Sequence, residues 1–153
     1  MAIEAPLSKY KRNNFKIYIA VCLLLGAWFA YDGYLNKSFI DKHTDEQGVA
    51  DMDLVINRVA PPFLAGAAVL LGAYFYAIRG RKLTADEKEL ILAGNVTIPY
   101  DAIEGIDKTH FEKKGFFTII YRGANGTEMR RKLGDHQYDN LQVVLDHLVA
   151  KIT

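Results

Sequence analysis

Two long apolar runs, at 15–35 and 59–78, dominate the first half of the chain. The second run, VAPPFLAGAAVLLGAYFYAI, contains no charged residue, whereas the first has Lys16 near its start and Asp32 near its end. A helix needs about 20 apolar residues to cross a bilayer core of about 30 Å, and a lysine at the end of a span can extend its ammonium group to the headgroups. The pattern therefore predicts two transmembrane helices, one in each run.

A basic N-terminus followed by an apolar run is also typical of a cleaved signal peptide. The cleavage site of such a peptide has small residues in spaced positions. The end of this run instead carries bulky side chains, namely Trp28, Phe29, Tyr31 and Tyr34. We therefore expect the first helix to be retained in the membrane.

Prolines and small residues distinguish the second run. We expect Pro61 and Pro62 in its first turn, because the N–H groups that they lack have no helical partner there. Small residues recur four positions apart farther along, Ala68 with Gly72 and Ala73 with Ala77. This spacing allows helices to approach closely in lipid. The small residues are expected to pack either against the first helix, in a hairpin, or against another membrane subunit.

After residue 82 the apolar and polar positions alternate over short segments, which is typical of strands. Strands are predicted at 96–100, 103–106 and 116–121. Asn125-Gly126 is a strong hairpin signal, and the returning strand is predicted at 127–133.

The chain ends in a segment with helical rather than strand periodicity. Its apolar residues recur at the spacing of one helix face: Leu141, Val144, Leu145, Leu148, Val149 and Ile152. Such a helix can bury its apolar face over the open end of a sheet. The sequence therefore predicts an α+β fold, in which a two-helix transmembrane hairpin is followed by a small antiparallel β-sheet domain closed by a C-terminal amphipathic helix.

The segment after the second apolar run resembles a known family. KLTADEKELIL at 82–92 and VTIPYDAIEGID at 96–107 are similar to the start of the bacterial pleckstrin-homology-like (PH-like) domains of small membrane proteins. The resemblance covers residues 81–153 and implies a PH-like fold and a binding function rather than a reaction. Eukaryotic relatives by fold bind inositol phosphates through basic residues around the first hairpin. Here that segment, 84–87, is acidic, so the resemblance does not imply inositide recognition.

The charges are balanced overall but segregated along the chain. There are 19 basic and 18 acidic residues, whereas nucleic-acid-binding proteins usually carry a basic excess, so we expect no nucleic-acid partner. Basic residues precede the first run and directly follow the second, and the connecting segment 36–58 is acidic. The positive-inside rule then predicts a multi-pass protein of the bacterial inner membrane, with residues 1–14 and 79–153 cytoplasmic and 36–58 periplasmic.

Few residues are placed for chemistry. The single cysteine, Cys22, lies inside an apolar run and cannot form an intrachain disulfide. His43 is close in sequence to Asp41, Asp45 and Glu46, but this spacing fits no closed set of metal ligands, and we expect a solvated acidic loop. No serine, threonine or cysteine is placed with a recognisable base. We therefore predict a protein that is not an enzyme and has no metal site and no cofactor.

Basic residues remain as candidates for contact with a partner or with lipid headgroups: Arg79, Arg81 and Lys82 beside the second span, and Arg130 and Lys132 on one face of a predicted strand. The sequence favours a non-catalytic interaction protein. We expect a structural, accessory or assembly subunit of a larger bacterial inner-membrane complex, respiratory or photosynthetic, with other subunits and membrane lipids as partners. The alternative is a self-standing membrane module that binds anionic lipid headgroups.

Overall fold

The computed structural model describes residues 2–152 and divides into two compact units. Residues 13–77 form a helical unit. Residues from both sides of it, up to 12 and from 78 onward, form a sheet unit. Within the described residues the fold is α+β, with a helical region and two antiparallel sheets. The predicted fold class is confirmed at this level.

Two long helices form most of the helical unit. Helix α1 spans Lys9–Ala30 and continues as a π-helical turn, Tyr31–Leu35. A short helix α2 spans Lys37–Lys42, and α3 spans Met52–Ile78. Each long helical stretch has 27 residues and is long and apolar enough to cross a membrane. At most 11% of the most apolar part of either stretch is buried within the protein, so their apolar side chains are available to lipid or to another protein.

Both long helices begin earlier than predicted. Helix α1 begins at Lys9 because the Ser8 hydroxyl accepts an N–H of the first turn (3.1 Å). Helix α3 begins at Met52 because the Asp51 carboxylate accepts the N–H of Leu54 (3.0 Å). Polar residues before each apolar run are therefore helical.

The expectation that Pro61 and Pro62 lie in a first turn is wrong, because both lie inside α3. A proline inside a helix removes the hydrogen bond to the carbonyl four residues before it. The carbonyls concerned belong to Asn57 and Arg58. The Tyr34 hydroxyl donates a hydrogen bond to the Arg58 carbonyl (2.9 Å) and so replaces one of the lost donors.

The strands of the described residues form two sheets, each antiparallel throughout. The four-stranded sheet has the order β1-β2-β3-β4, with strands Ile3–Pro6, Lys82–Ala85, Glu89–Leu92 and Val96–Pro99. The three-stranded sheet has the order β5-β6-β7, with strands Ile103–Asp107, Phe116–Arg122 and Glu128–Gly134. A 3₁₀ turn, Tyr100–Ala102, connects the sheets, a short helix α4, Phe111–Lys114, connects β5 to β6, and helix α5 spans Leu141–Ile152.

The first strand was not predicted, because β1 lies in the segment 1–14, which was expected only to be cytoplasmic. Ala5 pairs with Leu83 of β2 in antiparallel register. Just beyond β1, the Leu7 N–H donates to the Arg81 carbonyl (3.1 Å). The chain before α1 and the chain after α3 therefore belong to the same sheet.

The core of the sheet unit forms where the sheets face α5. Strand β6 alternates between half-buried and buried residues, and Phe117, Ile119 and Tyr121 face the core. The predicted apolar face of α5 is buried there, through Leu141, Val144, Leu145 and Leu148. The helix therefore closes the sheet domain as the periodicity indicated.

Candidate functional site

The small residues of α3 that were predicted to pack do not form one surface. Ala68 is only 5% exposed, and Gly72 is half-buried, whereas Ala73 and Ala77 are exposed. A Cβ added at Gly72 would have no atom within 4 Å, so this glycine is not required for close helix approach. Ala68 therefore lies inside the helical unit, and Ala73 and Ala77 lie on its surface.

The end of the first helical stretch approaches the backbone of α3 closely at Gly33, which sequence reasoning did not identify. A Cβ added at Gly33 would lie 2.8 Å from the Asn57 carbonyl oxygen and 3.1 Å from the Arg58 nitrogen. The Arg58 Nε donates to the Gly33 carbonyl (3.0 Å), and the Tyr34 hydroxyl donates to the Arg58 carbonyl (2.9 Å). We call these four residues the Gly33 contact.

Asp32, which precedes Gly33 in sequence, accepts a hydrogen bond through each of its carboxylate oxygens. Asp32 accepts the Trp28 indole N–H through Oδ2 (2.7 Å) and the Asn36 amide through Oδ1 (2.8 Å). Asn36 in turn caps α2, because its side-chain oxygen accepts the Phe39 N–H (3.3 Å). This end of the helical unit is thus a connected polar network, which suits a position at a water interface.

The connecting loop brings His43 to different carboxylates from those near it in sequence. His43 Nδ1 lies 2.7 Å from Asp51 Oδ2 and 3.8 Å from Asp53 Oδ2, and within the described residues this is the group whose ligand atoms, all within 4.8 Å, could hold a metal ion. The N–H of Leu54 and then His43 lower the pKa of Asp51. A separation of 2.7 Å is that of a hydrogen bond, which accounts for the cluster without a metal.

The predicted basic residues of the sheet unit are not one patch. Lys82 forms an ion pair with Glu4 on the neighbouring strand β1. On β7, the Arg130 Nε donates to Glu128 (3.0 Å), whereas the Lys132 ammonium lies 3.5 Å from the centre of the Phe116 ring. Arg79 and Arg81 are exposed. Arg130 and Lys132 share a face, as alternation predicted, and Lys132 lines a cavity.

Two tyrosines of the sheet unit have raised pKa values. Burial raises the pKa of Tyr100 to about 12, and its hydroxyl donates to the Asp86 carbonyl (2.6 Å). Burial also raises the pKa of Tyr138, and the positive charges of Arg131 and then Arg81 act against this shift. Tyr138 thus lies in the field of Arg81 and of Arg131, a residue of β7 that was not among the predicted sites.

A cavity of about 290 Å³ opens between the β5–β6 connection and the end of β7. We call it the cationic cavity, and its walls include Lys114, Phe116, Lys132, Asp135 and His136. The Asp135 carboxylate lies against Gly115, where an added Cβ would collide with it. Two lysine ammonium groups thus outnumber the single carboxylate in this set, so the cavity favours an anion.

The loop that carries His136 is fixed to the start of α1. The Ser8 hydroxyl donates to the His136 carbonyl (2.6 Å), and the Ser8 N–H donates to the Gln137 carbonyl (3.0 Å). The Asp139 carboxylate accepts the Lys9 N–H (3.1 Å to Oδ2). The exposed Tyr10 ring packs on His136, with ring centroids 4.9 Å apart. These contacts hold one wall of the cationic cavity beside the first turn of α1.

A larger cavity of about 530 Å³ lies beside α4 and α5. Phe111, Leu145 and Val149 provide its apolar lining, and Lys108, Glu112 and Asp146 are its charged residues. Two carboxylates and one ammonium group line it, so this cavity does not favour an anion.

No protein-family model, no curated protein and no solved structure matches this chain. The residues themselves therefore carry the functional argument.

Proposed function

We propose that the chain is a membrane-anchored, non-catalytic interaction protein of the bacterial inner membrane. Helices α1 and α3 cross the bilayer as a hairpin, and the sheet unit lies in the cytoplasm as a PH-like domain. The protein acts as a structural, accessory or assembly subunit of a larger membrane complex. The helical hairpin and the sheet unit are both available to contact other subunits.

The observation that carries this proposal is the pairing of β1 with β2. Strand β1 precedes α1 and β2 follows α3, yet Ala5 and Leu83 are partners in one sheet. A chain that leaves this sheet, crosses a bilayer and returns to the same sheet must cross an even number of times. Two crossings, by the two 27-residue helical stretches, satisfy this requirement. The basic residues at both ends of the hairpin then favour the cytoplasm for the sheet unit.

The PH-like assignment is supported by where the resembling residues fall. KLTADEKELIL forms β2 and β3, and VTIPYDAIEGID forms β4, the 3₁₀ turn and β5. The sheets are followed by the amphipathic helix α5, as the resemblance implies. In this chain, however, the first strand comes from before the membrane hairpin rather than from residues 81–153.

The proposed contact with membrane subunits is the outward surface of α3. Ala73 and Ala77 are exposed and four residues apart, so a partner helix can approach the α3 backbone closely at this point. Ala68 does not contribute to this surface, because it is buried within the helical unit.

The test is affinity purification of the tagged full-length chain in a mild detergent, followed by mass spectrometry. We expect a stoichiometric set of membrane subunits. Ala73→Leu together with Ala77→Leu should reduce their recovery, because the larger side chains hold a partner helix away. Ala20→Leu makes the same change at an exposed position of α1 and should leave recovery unchanged. Recovery of the wild-type chain alone, or only with copies of itself, would contradict the proposal.

A further inference from the structure

We propose that the cationic cavity binds the phosphate of an anionic phospholipid headgroup in the bilayer that anchors the protein. This site goes beyond the docking of subunits, although it rests on the proposed membrane anchoring. Its cationic side chains are Lys114 and Lys132, and Tyr10 borders it through its ring contact with His136.

Chain connectivity ties the cavity wall to the residues that lead into the first apolar run. The first residue of α1 is Lys9, whose N–H donates to Asp139 of the loop after β7. Ser8, which is only 1% exposed, binds the same loop through His136 and Gln137. A helical turn holds 3.6 residues, so fewer than two turns separate Lys9 from the start of the apolar run at residue 15. This short connection along the chain favours a lipid headgroup as the ligand.

The side chains of the cavity suit a phosphate. A lysine ammonium binds phosphate as a point charge with several donors, and the Lys132 ammonium is positioned by the Phe116 ring 3.5 Å away. Lys114 is exposed, as is Lys132. Asp135 is the one carboxylate of the defined set, and its charge opposes anion binding, so its removal should strengthen binding.

The size of the cavity favours a headgroup rather than a whole lipid. Its volume of about 290 Å³ is at the lower limit of small-molecule pockets, which begin near 300 Å³. A phosphate with a small polar substituent fits such a space, whereas the acyl chains stay in the bilayer. Tyr10, which is 58% exposed, has the amphipathic character of the aromatic residues that lie at headgroup level.

The experiment uses the full-length chain in neutral detergent, titrated with phosphatidylglycerol and followed by native mass spectrometry. We expect one tightly retained lipid per chain. A basic residue near a membrane surface contributes about 1 kcal/mol, so Lys114→Ala and Lys132→Ala should each weaken binding about fivefold, and the double variant roughly 25-fold. Arg130→Ala is the matched control, because Arg130 lies on the same face of β7 but binds Glu128; its effect should stay within about twofold.

Each further measurement either supports or overturns the site. Asp135→Asn should tighten binding severalfold, and it tests the site even where the double lysine variant fails to fold. Equal losses for Arg130→Ala and Lys132→Ala would show general electrostatic attraction and overturn the proposal. Equal retention of phosphatidylcholine, or displacement of the lipid by millimolar inorganic phosphate, would also overturn it. Resistance of the protein to alkaline carbonate extraction reports membrane anchoring separately, so failure of the anchor and failure of the site are distinguishable.

Discussion

Replacing Gly33 with alanine tests how closely α3 packs on the end of the first helical stretch. The added Cβ would lie 2.8 Å from the Asn57 carbonyl oxygen and 2.9 Å from the carbon of that carbonyl. Ordinary Cβ contacts begin at 3.4 Å, so the backbones must separate by roughly 0.6 Å. The atoms in contact are backbone, which cannot rotate away. Overpacking of this kind costs about 1–3 kcal/mol.

Gly66 provides the matched control for Gly33. It lies in α3, and a Cβ added there meets no atom within 4 Å. Alanine is favoured over glycine inside a helix by about 0.5–1 kcal/mol, so Gly66→Ala should be neutral or stabilising. Gly33→Ala should instead destabilise, and the separation should also weaken the hydrogen bond from Arg58 Nε to the Gly33 carbonyl (3.0 Å).

The single tryptophan makes the measurement direct. Trp28 belongs to α1, and its indole donates to Asp32 (2.7 Å), so its fluorescence should report the loss of this environment. Unfolding of the full-length chain in mild detergent by increasing sodium dodecyl sulfate gives the free energy of unfolding for each variant. If Gly33→Ala proves as stable as Gly66→Ala, the close approach at the Gly33 contact is refuted.

The remaining predictions concern the sheet unit and the loop. Ala5→Asp places a carboxylate at a fully buried position of β1 and should lower the thermal midpoint of the sheet unit strongly, whereas Ala2→Asp, at an exposed position, should not; equal midpoints would argue against β1. Because the pKa of Tyr100 is raised from 10.0 to about 12, the unfolded chain loses this proton first, so stability present below pH 10 should fall between pH 10 and 12. Circular dichroism should show a smaller loss of stability over this pH range in Tyr100→Phe. An alkaline transition identical to that of the wild type would contradict the attribution of this loss to Tyr100. Because the pKa of Asp51 is lowered from 3.8, its capping of α3 should contribute above that pH and be lost as the pH falls through the lower, folded value. Asp51→Asn removes this ionisation. In an acid titration of stability, the variant should therefore lack the loss that protonation of Asp51 causes, and a stability profile identical to the wild type would count against the role of Asp51 as a cap.

The sheet domain was largely predictable because its signals are local. Alternation over 116–121 predicted β6, and Asn125-Gly126 predicted the turn to β7, each close to its final position. The apolar face of α5 followed from helical spacing alone. Strand β1 could not be predicted in this way, because its role depends on pairing with residues almost eighty positions later, and four residues carry too little pattern.

The helical unit shows where hydrophobic pattern misleads. Pro61 and Pro62 indicated a helix start, but the cap at Asp51 begins the helix at Met52 and the prolines become internal. Small residues at a four-residue spacing indicated a packing face, yet the close approach of backbone to backbone is at Gly33. The two prolines did contain a signal for this contact. A proline inside a helix leaves a carbonyl without its N–H donor, and here the Tyr34 hydroxyl donates to the Arg58 carbonyl instead.

The predicted sites were only partly informative, because charge in a sequence does not reveal its neighbours. Arg130 and Lys132 are equivalent by alternation, but Glu128 binds the first and Phe116 positions the second. Likewise, His43 lies beside Asp51 rather than the acidic residues that follow it closely in sequence. Such differences depend on register and loop geometry, which composition and spacing do not contain.

Compartment-specific labelling of single cysteines tests the central claim, a membrane hairpin inserted between β1 and β2. In a Cys22→Ser background, the cysteine is introduced at exposed positions as Ala2→Cys, Gln47→Cys or Asn125→Cys. A membrane-impermeant maleimide is then applied to spheroplasts before and after permeabilisation. We predict that Gln47→Cys reacts in intact spheroplasts, and that Ala2→Cys and Asn125→Cys react only after permeabilisation. Labelling of Ala2→Cys and Asn125→Cys from opposite sides, or of Gln47→Cys together with Asn125→Cys from one side, would contradict the account.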